Sequence, residues 1–521
     1  MSIIPSSEPE RPSSSIDFEG DSLVAGLTFM LVANLLQRGI GFVRNLALCR
    51  FLADEQLGLW ALATSFFLLG APLAVLGLPG TFGRLVSSYR TSGQLNVFLR
   101  RIALGASVGT MCCTLCLILA PASSSSIIFG VELSLSTMLL ISTTLCLVIL
   151  FNTATELLAG LRKPRIVSAM HTCNSIVFTI ASLSGVMIVN DWRILVAAFA
   201  IAAVAGLIPA IPVFKDWKEL ETRPQQSMTH GSMWKRVLPF AISIWCMNLL
   251  VNLFDVVDRY MLLHLAAETA EQGRALVGQF HSGRVMPMLL SSLTLMLSGL
   301  LLPYLAFEWE AGNHSQVANF QRLTFKCASI FFFFLSIASL AIAPLLFEHM
   351  LDGKYSDGLA IMPQAMLHCC LTAMAFLMQN YFWCAERGKT VGVIIAVGLV
   401  LNIALNAWWV PLYGLRGAMS ATSIAGGAIL IMTLFELQRS GVRMGISCLW
   451  FGLLPICVLL GCVPAAIVFS IALVLIGRTN WLLTAYEKMS IDNAITPKLK
   501  KLGFPFHSLW PVAATNCSLL E

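Results

Sequence analysis

Apolar residues run through this chain in windows of about 20, the length that carries an α-helix across the hydrocarbon of a bilayer. Such windows fall near 23–47, 57–79, 102–121, 136–159, 166–189, 193–214, 237–263, 277–304, 325–346, 359–384, 390–411 and 415–436. A further apolar stretch from about Cys448 to Gly477 is too long for one untilted helix, and Pro464 in its middle marks a tight hairpin between two short spans. Two windows carry the same polar stripe. Asn34, Arg38, Gly41 and Asn45 stand at i, i+4, i+7 and i+11, one face of a helix. Asn248, Asn252, Asp255 and Arg259 repeat that spacing 214 residues later, and Arg44 and Asp258 correspond at the same shift beside each stripe. Charged groups in hydrocarbon cost several kcal/mol, so they must face a protein interior or a wet cavity. Two matched helices facing one cavity point to a transporter.

Composition fixes the solvent. With 521 residues, 57% hydrophobic and 12% charged, and a mean hydropathy of +0.80, the chain carries more apolar surface than soluble cores can hide. It reads as an all-α polytopic membrane protein. The opening residues, to about 21, are rich in Ser, Pro and Glu and lack the features of a signal peptide, so they are expected to form a disordered tail. Most of the 15 cysteines lie inside apolar runs, where Cys behaves as a small hydrophobe.

Loop charge sets the orientation. Loops after even-numbered spans hold Arg84, Arg90, Arg100, Arg101, Arg162, Lys163, Arg165, Lys215, Lys218, Arg223, Lys235, Arg236, Arg322, Lys326, Arg387, Lys389, Arg439 and Arg443. The odd loops offer only Arg50, Arg193, Arg274, Lys354 and Arg416. By the positive-inside rule the N-terminus and the even loops are cytoplasmic. The tail from Arg478 carries Lys488, Lys498, Lys500 and Lys501 and belongs on the same side, which requires an even number of spans and favours fourteen over thirteen. The net charge of +6 is then a topological bias with attraction to anionic lipid, and implies no nucleic-acid partner.

The repeat continues beyond the striped helices. Gly160-Leu-Arg-Lys163 precedes spans five and six as Ala385-Glu-Arg-Gly-Lys389 precedes eleven and twelve, and the turns holding Arg193 and Arg416 lie 223 residues apart. Both halves start on the same side, so they are parallel repeats about an axis along the membrane normal. The expected organisation is a tail over 1–21, an N-lobe over 22–214, a cytoplasmic linker over 215–235, a C-lobe over 236–437, a helix pair over 445–477 and a cytoplasmic tail over 478–521.

The run Leu35-Leu-Gln-Arg-Gly-Ile-Gly-Phe-Val-Arg44, Leu57-Gly-Leu-Trp60, and Leu76-Gly-Leu-Pro-Gly80 with Arg84 resemble the start of polysaccharide flippases of the multidrug/oligosaccharidyl-lipid/polysaccharide exporter superfamily. Phe254-Asp-Val-Val-Asp-Arg-Tyr260, Leu301-Leu-Pro-Tyr-Leu305 and Asn402 through Pro411-Leu-Tyr-Gly-Leu-Arg-Gly-Ala418 extend the resemblance over about residues 25–436. It implies two six-helix lobes around a central cavity, with an extra C-terminal helix pair as in some relatives. It also implies alternating access and export of undecaprenyl-pyrophosphate-linked oligosaccharide across the bacterial cytoplasmic membrane. The partners would be that substrate, membrane lipids, and the glycosyltransferases and polysaccharide polymerase that act on the glycan.

The head group of such a cargo cannot cross hydrocarbon unaided. Guanidinium groups stay protonated and bind phosphate oxygens two at a time, so Arg38, Arg44 and Arg284 are the candidates for holding pyrophosphate. Asn34, Asn248, Asn252 and Gln279 are candidates for sugar hydroxyls. Arg38 either lines the cavity or locks the lobes in an ion pair; Arg44 and Arg259 have a plainer role as snorkelling side chains near the outer interface. Asp255 either makes an ordinary i,i+4 pair with Arg259 or gates the lobes against Arg38 or Arg44. Matched positions predict that Arg44 and Asp258 pair across the cavity when it opens inward. Asp255, Asp258 and Arg259 are the candidates for a gate or for ion coupling, with the two carboxylates those that a proton or sodium gradient would use; Asn402 and Asn406 read more simply as helix glue.

The alternative is a cation-coupled drug or metabolite antiporter of the same superfamily, in which carboxylates would dominate the cavity. No loop exceeds about 25 residues, and there is no P-loop, Gly-rich dinucleotide turn, metal-ligand cluster or loop DxD pair. An enzyme is therefore not expected, nor a cofactor, and the driving energy must come from an ion gradient or from the cargo's own.

Overall fold

The computed structural model describes residues 20–215 and 230–501, with side chains from residue 35 in the first helix. The expected tail over 1–21 and the linker lie largely outside the described residues, as does the chain beyond 501. The side chain of Asn34 also lies outside them.

The described chain is helical throughout. The first half comprises α1 (Gly20–Phe51), α2 (Asp54–Val75), α3 (Phe82–Thr91), α4 (Leu95–Leu119), α5 (Pro121–Phe129), α6 (Leu135–Gly160), α7 (Pro164–Ile188), α8 (Trp192–Leu207) and α9 (Ile211–Lys215). The second comprises α10 (His230–Leu265), α11 (Ala270–Glu310), α12 (His314–Leu345), α13 (Ser356–Ala360), α14 (Met362–Cys384) and α15 (Gly388–Arg439), followed by α16 (Ile446–Leu453), α17 (Cys462–Arg478) and α18 (Ala485–Lys501). Among the described residues nine helices are long and apolar enough to cross a membrane. At about 1.5 Å per residue the 22-residue α2 spans the hydrocarbon core and the 41-residue α11 runs well beyond it. The short α3 is different in kind. It buries Phe82, Leu85, Val86 and Tyr89 and exposes Arg84 and Arg90, the stripe of a helix lying along a surface.

α15 is two spans in one. Asn402 Nδ2 donates to Thr422 Oγ1 at 3.1 Å, although twenty residues of straight helix would separate them by about 30 Å. The chain reverses at Gly414, whose φ of 53° and ψ of −127° leave the helical region at a positive φ that residues with a Cβ rarely occupy. The final apolar stretch also reverses. α16 continues as a 3₁₀ segment over Leu454–Leu460, turns at Gly461, and returns as α17 with Pro464 inside its first turn. The turn thus lies three residues before the expected proline, because proline is tolerated where the first helical N–H groups have no partner to lose. Trp450 and Trp481, at the two feet of this hairpin, lie 5.6 Å apart, and Glu487 reaches Lys326 on α12.

Within the first half, α7 packs on α8 and α1; within the second, α14 packs on α15 and α11. The lobes meet chiefly along α2 and α11. There, glycines admit a backbone approach that a side chain would block: a Cβ on Gly58 would strike the Arg274 carbonyl, and one on Gly278 the Asp54 carbonyl. α10 belongs to both lobes. Its first turns bury Met233, Val237 and Ala241 among Phe82, Leu85 and Phe98 of the N-lobe, and its second half packs on α15. The expected C-lobe boundary at 236 therefore falls inside a helix whose opening turns are part of the other lobe's core.

Candidate functional site

The lobes close on each other at the end where α1 finishes and α2 begins, the end poor in Lys and Arg. Arg274 of α11 donates from Nε (2.9 Å) and Nη2 (2.6 Å) to Glu55 Oε1 of α2, and from Nη1 to the Gly130 carbonyl at 3.2 Å. Tyr355 Oη donates to the Leu52 carbonyl at 2.9 Å, and Lys354 Nζ to the Arg50 carbonyl at 2.9 Å. One helical turn and more deeper, Arg259 Nη1 donates to Ser65 Oγ at 2.6 Å, and Asn252 Nδ2 donates to the Leu68 carbonyl at 3.1 Å. This ladder, read down α2 from residue 55 to 68, seals the interface.

Below the seal lies a cavity of about 240 Å³ between α2, α6, α7 and α10, lined among others by Asn152, Glu156, His171, Trp245 and Asn248. That is less than the range of sites enclosing a drug-sized ligand, so a sugar-phosphate head requires a wider opening between the lobes. Arg38 is exposed and within electrostatic reach of His171 on the cavity wall.

Of the residues singled out by sequence, Asn248 lines the cavity, whereas Asn252 is tied to α2 across the lobe interface. Gln279 is not a cavity residue. It is buried, donates from Nε2 to the Lys354 carbonyl at 3.1 Å and accepts from the Gly358 N–H at 3.2 Å, so both ends of its amide fasten the segment before α14. Arg44 turns into its own lobe, stacking 4.3 Å over the Phe178 ring with Nη1 3.4 Å from Thr179 Oγ1. Arg284 donates from Nη2 to Asp255 Oδ1 at 2.6 Å and from Nη1 to the Asp255 carbonyl at 3.3 Å. That pair replaces both the i,i+4 pairing of Asp255 with Arg259 and an inter-lobe gate at Asp255, since Arg259 points to Ser65 instead. Arg259 is buried, not snorkelling.

Asp258 does not meet Arg44. It is fully buried and accepts from Asn406 Nδ2 (2.7 Å), Asn402 Nδ2 (3.2 Å) and Thr422 Oγ1 (2.7 Å), all on the two arms of α15. Sequence matching pairs Arg44 with Asp258 by symmetry of position, but each finds a nearer partner within its own lobe. Asn406 Oδ1 remains buried without a partner in this polar knot. Sequence reasoning missed Ser65, Glu55 and Arg274. Ser65 and Glu55 lie ten residues apart on α2, and only a partner helix reveals that they share a seam.

The fold and the seam define a class: a multi-pass helical membrane protein whose two lobes close over a central cavity. Residues 23–307 match the family described as polysaccharide biosynthesis protein, more than half of the chain, and the protein belongs to that family. Among solved structures it resembles lipid II flippase MurJ in an inward closed conformation, with a TM-score of 0.65 and 14% identity over 87% of this chain and 99% of that one. It also resembles an inward-facing multidrug resistance MATE family transporter of the MOP superfamily, with a TM-score of 0.61 and 11% identity over 79% of this chain and 98% of that one. Over 255 residues it is 24% identical to the uncharacterized membrane protein YabM of Bacillus subtilis (strain 168), covering 47% of each. The matched region thus spans about half the length of that curated relative.

Proposed function

We propose that this protein flips an oligosaccharide linked to undecaprenyl pyrophosphate across the bacterial cytoplasmic membrane by alternating access, between glycosyltransferases that build the glycan and a polymerase that consumes it. Arg38 carries the reading. It is an exposed guanidinium on a membrane-length helix, it lies within electrostatic reach of His171 on the cavity wall, and it has no carboxylate partner among the described residues. A cation at that depth calls for an anion, and the cargo's pyrophosphate supplies one that fits two N–H groups at once. Asn152 and Asn248 on the same cavity offer donors and acceptors to sugar hydroxyls. In proteoliposomes carrying a fluorescent lipid-linked oligosaccharide, Arg38→Lys is expected to slow flipping nearly as much as Arg38→Ala. Full activity in the lysine variant refutes two-point phosphate recognition.

The end rich in Lys and Arg is assigned to the cytoplasm, so the sealed end faces outward. Labelling of single cysteines near Gln225 and after Arg478 from the cytoplasmic side only is the expected result; labelling from outside reverses the orientation.

Ion coupling is assigned to Asp258. Its hydrogen-bond partners are neutral, and the knot holds further oxygens at Asn402, Asn406 and Thr422 that suit a proton or a sodium ion. Asp258→Asn is expected to abolish stimulation of flipping by an imposed proton or sodium gradient. Persistence of that stimulation moves coupling elsewhere and leaves the Arg38 reading intact.

A further inference from the structure

A second cavity, of about 680 Å³, lies at the sealed end between α14, the second arm of α15 and the 3₁₀ segment before Gly461. It shares no lining residue with the central cavity. Its walls are largely hydrocarbon: Leu367, Leu371, Ile424, Ile456 and Leu459. Ile424, Ile456 and Leu459 are exposed at 46%, 43% and 45%, so the groove opens sideways to whatever surrounds the helices. In a membrane that surrounding is acyl chain.

The rim is not hydrocarbon. Arg416 stands at its mouth, two residues past the Gly414 reversal, exposed and without an ion pair among the described residues. Tyr413 and Trp409 flank it, the aromatic pair expected at the level of lipid head groups. Gln364 lies on the opposite wall, and its Oε1 is shielded with no partner. Ser423, which donates to the Gln364 carbonyl at 2.9 Å, follows Arg416 by seven residues, about 10 Å along the helix. A ligand reaching from Arg416 to Gln364 therefore lies along the groove and not across it.

We infer that this groove is a binding site for one anionic glycerophospholipid of the surrounding bilayer, with its phosphate on Arg416, a hydroxyl of its polar head donating to Gln364 Oε1, and an acyl chain against Leu367, Leu371, Ile424 and Leu459. The charge, the orphan acceptor and the apolar walls answer to the phosphate, the head-group hydroxyls and the acyl chain of such a lipid. A carrier lipid bound here would hold its glycan outside the space between the lobes, which is why the bulk phospholipid is the occupant. Because α15 also holds Asn402, Asn406 and Thr422 around Asp258, the bound lipid braces the hairpin that builds that knot.

Native mass spectrometry of the full-length protein, delipidated in detergent and titrated with phosphatidylglycerol, tests this. One tightly retained phosphatidylglycerol per chain is expected, with phosphatidylcholine retained more weakly. Arg416→Gln is expected to weaken retention about tenfold, the loss of a charge-assisted contact. Arg193→Gln, at another turn of the same end, is expected to change nothing. Ile424→Trp, which fills the apolar half and keeps the charge, is expected to abolish retention and separates loss of the groove from misfolding at Arg416. Equal retention of phosphatidylcholine, equal weakening by Arg193→Gln, or unchanged retention in Ile424→Trp each overturns the proposal. Retention of undecaprenyl phosphate in preference to phosphatidylglycerol also overturns it and gives the groove to the carrier.

Discussion

Arg259 of α10 donates to Ser65 of α2 at 2.6 Å, joining the lobes through two buried side chains. The contact needs the lobes closed at this end, and the alternating access proposed above requires a contact that one state has and the other lacks. Ser65→Ala leaves a buried guanidinium without its acceptor, at a cost of roughly 1.5–3 kcal/mol to the sealed state. The expected outcome is a shift of about tenfold or more toward the state open at this end, read as a longer distance between spin labels on α2 and α11. Ser65→Thr, which keeps the hydroxyl, should largely retain the short distance. An unchanged distance in Ser65→Ala removes Ser65 from the gate.

Glu55 and Arg274 form the outer rung. With side-chain exposures of 10% for Arg274 and 32% for Glu55, the pair is better shielded than a surface ion pair. A double-mutant cycle on the same distance readout with Glu55→Gln and Arg274→Gln is expected to give a coupling of about 1–3 kcal/mol. Additive single effects would make Arg274 no more than an anchor for the Gly130 carbonyl.

Gln279 fastens the backbone before α14 through both ends of its amide. Gln279→Leu removes both ties to the backbone at Lys354 and Gly358 and leaves the freed groups buried, costing about 1–3 kcal/mol in thermal or denaturant unfolding. The apparent affinity for lipid-linked substrate should stay unchanged; a rise in KM without loss of stability returns Gln279 to the substrate path.

Lys326 is a cation buried inside α12, with a side-chain exposure of 4%, held by both oxygens of Glu487 (2.9 and 2.8 Å) and by the Leu482 carbonyl. Glu487→Ala strands that charge and is expected to destabilise the C-lobe by roughly 3–5 kcal/mol. Lys326→Met combined with Glu487→Leu should recover most of the loss, since the pair gains little over apolar packing. Failure of the double variant to recover makes the clasp a specific determinant of how the segment after α17 docks.

The sequence by itself determined the class of this protein. Windows of apolar length, the two striped helices and the order of weak motifs are local properties, because in hydrocarbon the backbone must satisfy its own hydrogen bonds and a spanning segment has little choice but a helix. For the same reason the hairpin at Gly414 was legible as two windows separated by a break. Partners were a different matter. Asp255 and Arg259 stand one turn apart on α10, yet Arg284 on α11 takes Asp255 and Ser65 on α2 receives Arg259; Arg44 and Asp258 hold matched positions and never meet. A periodicity states which residues share a helix face, but a charge in a low-dielectric interior binds whatever polar group packing brings within about 3 Å, and that group here sits on another helix, tens or hundreds of residues away. Only the tertiary structure decides which helix that is.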